Sequence, residues 1–407
     1  MSVNRVVITG YGAVSPFGTG AGTLFDNLVN TLSAVQHVEA NRRVAGLKTD
    51  LAAVVPPVDE KSIPRKFRRS MSAMSIFATL AAQEALQMAG MAQEDLSDMG
   101  LVVGSTVGST LTTENFFRDF FRDESLERMR STLFFQIMTH SVAANLVQTL
   151  GLGGRILAPG AACASGCQAV GLAYELIATG RQEQMLCGGA DEFHPLTLAT
   201  FDIMNAAATG YSDPRKASRP FDSSRVGLVC GEGAGILLLE SLSSAQRRRA
   251  TILGEIVGFA SLADSGNIAN PDSAAMERCM RRALDDAGLS PDQIDYINAH
   301  ATGTEMGDIA EGNAIARLFG KKTPVSSLKG HLGHTMAASG SLELIATLQM
   351  LRRGILIPTL NLENPDPRCG DLNLLTEVTN TTAHTAIKNS FALGGIDSTL
   401  VIRSFHE

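Results

Sequence analysis

An α/β fold is predicted for this 407-residue chain by three observations. Short apolar runs recur as candidate strands, and longer helical patterns lie between them. Thirty-nine glycines against no tryptophan suit many tight strand–helix connections and closely packed elements. With 44% hydrophobic and 18% charged residues, the chain can bury a substantial core, and its length suits two or three domain-sized units.

In chain order, the strand candidates of the first half are "RVVITG" (5–10), "MGLVVG" (99–104), "RILAPG" (155–160), "EQMLCGG" (183–189) and "GILLLES" (235–241). Those of the second half are "TILGEIVGFA" (251–260), "QIDYINAH" (293–300), "KTPVSS" (322–327), "TAIKNSFA" (385–392) and "TLVIRSF" (399–405). Several are continuous apolar runs, which predict strands buried on both faces of a sheet. Helices are predicted at about 72–90, 140–150, 164–179, 273–287, 308–318 and 335–352. The polar stretch "SLSSAQ" (241–246) and the Arg247-Arg248-Arg249 run behind it read as a solvated connection. Alternation restarts after it, which divides the chain into 1–250 and 251–407, although no sequence repeat relates the halves. "GYGAVSPFG" (10–18) lacks both the GxGxxG spacing and the amphipathic helix of a dinucleotide site.

Several function classes are excluded early. A net charge of −7 gives the whole molecule no electrostatic case for binding nucleic acid. No apolar run reaches the ~18 residues of a membrane span. "MSVNRVVITG" has none of the three regions of a signal peptide, so a cytoplasmic location with reduced thiols is expected. The six cysteines, at 163, 167, 187, 230, 279 and 369, form no CxxC pair and have no histidine at zinc-finger spacing. Neither a metal centre nor a disulfide framework is expected.

Two of those cysteines lie in "PGAACASGCQAV" (159–170). Cys163 falls where a strand turns into a helix that Gly180 ends. Unpaired N–H groups and the positive end of the macrodipole there favour a thiolate, and small neighbours leave room for a substrate. Cys167, one turn deeper, reads as a small buried hydrophobe. From these features alone Cys163 is either packing or a nucleophile. A sulfur nucleophile needs helpers, and two strand ends in the second half supply candidates: His300 in "INAHATGTEMGD" (297–308), and Lys329, His331 and His334 in "SSLKGHLGHTMAASG" (326–340).

"PGAACASG", "SRPFDSSRVGLVCGEGAG", "NAHATGTEMGD", "SSLKGHLGHTMAASG" and "NSFALGGID" resemble, in order and spacing, the signature segments of β-ketoacyl-acyl carrier protein synthases. The resemblance runs over essentially the whole chain. It implies a thiolase-like five-layer αβαβα fold built from two similar halves, the first carrying the nucleophile cysteine and the second the two histidines. It also implies a decarboxylative Claisen condensation between an acyl chain on the enzyme and malonyl-acyl carrier protein, in fatty acid or type II polyketide or polyene synthesis. Cys163 matches the acylated nucleophile, His300 and His334 the decarboxylation pair, and Lys329 and Glu311 the polar groups supporting that pair. The backbone N–H groups of Cys163 and Leu393 match the oxyanion hole. Glu232 and Asp222 read as structural, and His331 as solvated or structural. No cofactor or metal is required. The implied partners are acyl carrier protein and either a second copy of the chain or a related chain-length subunit.

The sequence departs from the family pattern at the gate, where Ala392-Leu393-Gly394-Gly395 stands for Gly-Phe-Gly-Gly, followed by Ile396 and Asp397 for Thr-Asn. Leu228 stands where phenylalanine is usual. Leu393 and Val107 are the expected determinants of gate and acyl tunnel. In "PRKFRRS" (64–70), Arg65, Lys66, Arg68 and Arg69 form a candidate dock for an acidic carrier protein. Two alternatives stand beside this reading: a non-catalytic chain-length partner, whose family form lacks the cysteine, and a cysteine-dependent thioester hydrolase.

Overall fold

Burial on both faces dictates where the long strands lie. In the structure, a computed structural model that describes residues 4–127 and 129–405, β1 (Val6–Ser15) is buried along its whole length. The first half continues with β2 (Gly100–Gly104), β3 (Ile156–Leu157), β4 (Gln184–Asp191) and β5 (Gly233–Ser241). The second contains β6 (Gly254–Ala263), β7 (Tyr296–Asn298), β8 (Pro324–Ser326), β9 (Asn373–Leu374), β10 (Thr385–Ala392) and β11 (Ile396–Arg403).

Across the sheet the order is β9-β8-β7-β10-β11-β6-β1-β5-β4-β2-β3. Each half therefore repeats one pattern, with its first strand beside its last: β1-β5-β4-β2-β3 and β6-β11-β10-β7-β8. Directions repeat as well. In each half the first strand pairs antiparallel with the last, the next pair is also antiparallel, and the remaining pairs are parallel. The halves are joined where β1 meets β6, Val6 opposite Ile256 and Ile8 opposite Gly254. A duplication that the sequence hides is plain in the topology.

The helices complete the layers. They include α1 (Ala21–Val29), α2 (Ala73–Met88), α3 (Thr110–Phe121), α4 (Ser131–Ile137), α5 (Ser141–Leu150), α6 (Ser165–Ala178), α7 (Pro195–Ile203), α8 (Ser273–Ala287), α9 (Glu305–Phe319), α10 (Lys329–Leu332) and α11 (Ala338–Arg353), and a further short helix, Leu242–Arg247, occupies the stretch expected to be a solvated connection. α2 and α5 cover the outer face of the first half, α8 and α9 that of the second, and α6 and α11 pack together between the sheets. One apolar core surrounds the central helices, and two others lie between the sheet and the outer helices of each half. This is the expected five-layer αβαβα arrangement.

Two strands are much shorter than predicted, "QIDYINAH" giving only the three residues of β7. "RILAPG" yields only the two residues of β3, and Ile156 and Leu157 are 49% and 42% exposed because they form the free edge of the sheet. Other exposed apolar side chains include Leu111, Phe117 and Phe121 on α3 and Phe134 and Phe135 on α4. No helix among the described residues is long and apolar enough to cross a membrane.

The central helices approach closely because glycine faces glycine. A Cβ on Gly166 would lie 2.3 Å from the Ala337 carbonyl oxygen, and one on Gly189 would lie 2.2 Å from the same atom. On Gly340 it would meet the Cys167 backbone nitrogen at 2.4 Å. Backbone cannot yield as a flexible side chain does, so these contacts fix the separation of the layers. Gly340→Val is expected to destabilise the fold by about 3 kcal/mol or more, read as a lowered urea midpoint. An unchanged midpoint would show that the layers can part.

Candidate active site

The strand-to-helix turn that presents Cys163 is tightly built. Ala162–Ala164 forms a single 3₁₀ turn ahead of α6, and Ala162 adopts a left-handed φ of 45°, a conformation costly for any residue but glycine. Ser165 holds it: its Oγ accepts from the Ala161 N–H at 2.8 Å and donates to the Ala162 carbonyl at 2.7 Å. Cys163 is thereby placed at the wall of a cavity of about 650 Å³, with His300, His334, Glu311, Phe391 and Leu393 on the same lining. Cys167, a turn further on, lies wholly in the central core. Neither the Cys163 nor the Leu393 amide is engaged by a carbonyl of the surrounding turns.

Each histidine comes from a turn just after a short element, a strand in one case and a helix in the other. His300 follows β7, and its backbone N–H and that of Ala301 donate to the two oxygens of Glu311 at 2.8 and 2.6 Å. Asn389 on β10 also donates to Glu311 at 3.1 Å. His334 follows α10, and its backbone is pinned to the segment 229–231 by bonds to Val229 and Gly231. Its Nδ1 lies 3.0 Å from the Ser339 hydroxyl. The rings meet edge to face with centroids 5.2 Å apart, and Phe391 closes against His300 at 6.5 Å.

Behind the rings lies a buried charge cluster. Lys329 donates to Glu343 Oε1 at 2.7 Å, and Lys388 stands 3.0 Å from Glu343 Oε2. Neither Glu343 nor Lys388 was anticipated from sequence. A glutamate inside the apolar helix pattern "SLELI" was the available signal. Glu311, expected to support the histidine pair, does so through the His300 backbone. Lys329 touches Glu343 rather than either ring.

Burial governs the electrostatics. It pushes both imidazoles well below their ordinary value, and the Lys329 ammonium pushes the same way. It also raises the Cys163 thiol to about 12, with Asp191 adding to the rise and Lys329 opposing it. This corrects the expectation of a resting thiolate: desolvation outweighs the favourable start of the helix. Asp191, raised to about 6 by burial, accepts from Ser105, Thr106 and the Ala337 N–H, tying β4 to the turn before α11.

Other predicted residues fall as follows. Leu393 is 43% exposed at the cavity mouth, and Leu228 is buried in its wall. Gly394 and Gly395 hold left-handed backbone and latch this strap to the facing loop, Gly394 N–H to the Ile268 carbonyl and Asp264 N–H to the Gly395 carbonyl. Val107 does not line the cavity; it is 57% exposed on the apolar face that carries α3 and α4. His331 is buried, its ring between the carbonyls of Leu32 and Pro358, so it is structural and not solvated. Glu232 and Asp222 accept backbone amides. In the basic segment, Arg65, Lys66 and Arg69 are exposed, whereas Arg68 turns back to Glu60 and the Ile63 carbonyl. Lys48, unnoticed in the sequence, donates to Asn205 on the cavity lining.

A duplicated α/β fold with a cysteine at the head of one central helix and two uncharged imidazoles opposite defines a thiol acyl-transfer class of protein. The sequence matches the profile "Beta-ketoacyl synthase, N-terminal domain" over residues 3–245 and "Beta-ketoacyl synthase, C-terminal domain" over residues 253–363. The chain belongs to the β-ketoacyl synthase family. It is 33% identical over 410 residues to 3-oxoacyl-[acyl-carrier-protein] synthase 1 of Escherichia coli (strain K12), covering all of both chains. A β-ketoacyl synthase from Burkholderia phymatum STM815 superposes with a TM-score of 0.96 at 40% identity, covering 99% of this chain and 100% of that one. The ishigamide ketosynthase/chain length factor gives 0.92 at 29% identity with the same coverage.

A thiol raised to about 12 is protonated throughout the neutral range, and its thiolate fraction grows about tenfold per pH unit until that value is approached. Alkylation of Cys163 by iodoacetamide, followed by peptide mass, is therefore expected to climb without a plateau from about pH 7 to about pH 9.5. Lys329→Met should slow it at each pH. A plateau near pH 8 would reveal a thiolate stabilised beyond what burial allows.

Proposed function

We propose that this protein catalyses decarboxylative Claisen condensation between an acyl chain held on Cys163 and malonyl-acyl carrier protein, giving 3-oxoacyl-acyl carrier protein. The observation that carries the reading is the meeting of one cysteine and two uncharged imidazoles on a single cavity. The family and the naming of its Escherichia coli relative support it. A non-catalytic chain-length role would leave the placed sulfur without purpose.

The chemistry runs in three balanced steps. In the first, Cys163 sulfur attacks the carrier thioester; the S–H and carrier C–S bonds break, and an S–acyl bond and a carrier thiol form. The attacking species is the thiolate, so the Cys163 proton leaves as sulfur attacks and ends on the carrier thiol, and the number of protons is unchanged overall. In the second, the malonyl carboxylate leaves as carbon dioxide, and the electron pair passes to an enolate oxygen that needs N–H donors. With Ser339 donating to Nδ1, His334 carries its proton on Nε2; His300 offers a second donor. In the third, the carbanion attacks the Cys163 thioester, and the oxyanion is held by the amides of Cys163 and Leu393. Collapse expels Cys163 sulfur, which takes a proton from solvent.

The carrier protein is acidic in this reading and docks on the basic surface formed by Arg65, Lys66 and Arg69, with Lys48 at the cavity mouth. Arg68, committed to Glu60, contributes little. The exposed face of β3, α3 and α4 seats a second ketosynthase-type subunit, either a copy of this chain or a chain-length partner of the kind named in the ishigamide pair. Val107 belongs to that face and not to the cavity. The division into residues 1–250 and 251–407 then separates the cysteine half from the histidine half.

Intact mass after incubation with acyl-carrier proteins should show a covalent acyl adduct on the wild type and none on Cys163→Ala. His300→Ala and His334→Ala should each lose about 10²–10³ in carbon dioxide release from malonyl-carrier protein while still accepting acyl groups. An adduct on Cys163→Ala would remove the nucleophile assignment. Variants that decarboxylate normally yet cannot be acylated would reverse the histidine roles.

The gate gives a second test. Leucine fills less space than phenylalanine, so unprimed enzyme admits malonyl groups to the histidines and decarboxylates them wastefully. Leu393→Phe is expected to reduce carbon dioxide release without acyl primer relative to release with it. Tight coupling in the wild type that the variant leaves unchanged would end this account of the gate.

A further inference from the structure

Lys388 lies in the middle of β10 with no solvent exposure, in a strand whose neighbours on either side are also buried. A lysine there is costly to desolvate unless its charge is matched. The match is Glu343 on α11, which is 1% exposed and faces two ammonium groups at once: Lys329 from α10 at Oε1 and Lys388 at Oε2, 3.0 Å away. The Glu343–Lys388 contact lacks hydrogen-bond geometry, leaving Oε2 with charge contact alone. The Lys388 ammonium donates instead to its neighbouring Asn389 carbonyl and, at 3.4 Å, to Ser390 Oγ. Asn389 in turn donates to Glu311, the carboxylate that grips the His300 backbone.

This arrangement links one strand lysine to both imidazoles by two routes. Through Asn389 and Glu311 it reaches the backbone of His300. Through space its positive charge acts on both rings. We infer that Lys388 is a positioning residue for the histidine pair, its buried charge balancing Glu343 and holding both rings in the uncharged form. The inference deepens the reading given above and rests on it for its catalytic meaning, while its electrostatic content stands apart.

The charged and titratable groups around the rings are Lys329 from α10, Glu343 from α11, Glu311 from α9, Lys388 from β10, Asp397 from β11, Asp191 from β4 and the Cys163 thiol. Lys388 and Lys329 both disfavour a protonated ring at His300 and at His334. Removing Lys388 leaves Glu343 paired with Lys329 alone and takes one positive charge away from beside the rings. Protonated imidazole then becomes easier to form. Since activity requires the uncharged ring, it is lost as pH falls through the imidazole value, and a higher value moves that loss to higher pH.

The test uses the full-length protein with its histidine rings followed by NMR across pH, beside carbon dioxide release from malonyl-carrier protein. Lys388→Met, which keeps length without charge, should raise the titration midpoints of His300 and His334 by about one pH unit and move the acid limb of carbon dioxide release equally. Lys388→Gln, which can still donate to the Asn389 carbonyl, should do the same. The double variant Lys388→Met with Glu343→Gln removes the pair together and should return both midpoints toward wild type. A lysine that only fills space would give lower yield or stability with unmoved midpoints. Midpoints that stay put in folded Lys388→Met or Lys388→Gln protein, or fail to return in the double variant, overturn the inference. If the wild type released no carbon dioxide, the functional reading would fall while the ring titrations still decided the role of Lys388.

Discussion

The contact on which the rest depends is the crossing of α6 and α11 between the two halves of the sheet. Cys163 stands at the head of one helix, and Ser339, which meets His334, stands near the head of the other. Their backbones can meet because Gly166, Gly189 and Gly340 carry no side chain where Ala337 and Cys167 press in. Move either helix outward by a methyl group and the sulfur parts from the imidazoles. Catalytic geometry here is set by main-chain packing of the core, and not by mobile surface loops.

A duplicated topology explains why the site is shared between halves. In each half the central helix follows the third strand and precedes the inner pair, and the two helix starts meet, Gly166 against Ala337 and Gly340 against Cys167. The first copy uses that start for a thiol. The second uses its corresponding turns for imidazoles and the charge cluster beneath them.

Most strands and the long helices were legible because continuous apolar runs and helical periodicity report burial, and burial decides these elements. β3 was overestimated for the same reason: Ile156 and Leu157 are apolar yet lie at a free edge, where hydrophobicity reports a surface to be covered. α3 and α4 went unseen because their phenylalanines point outward and give no inward stripe. Cys163, His300 and His334 were legible from small-residue contexts at strand and helix ends. The thiol's protonation was not, because the helix start is visible in sequence and the depth of burial is not. Lys388 was missed since a lone lysine in a strand reads as a solvated residue until its partner, 45 positions earlier, is folded against it.

The central layer also sets a timetable for synthesis. α6 is complete at Ala178, but α11, which covers its inner face, does not begin until Ala338, about 160 residues later. At ordinary translation rates that interval is on the order of 10–30 s. For its duration the first half holds a core helix with one apolar face open to the cell, and β1 waits for its second neighbour. Nascent chains of this fold are thus exposed to aggregation longer than their compact end state suggests, and holding chaperones gain a defined target: the inner face of α6.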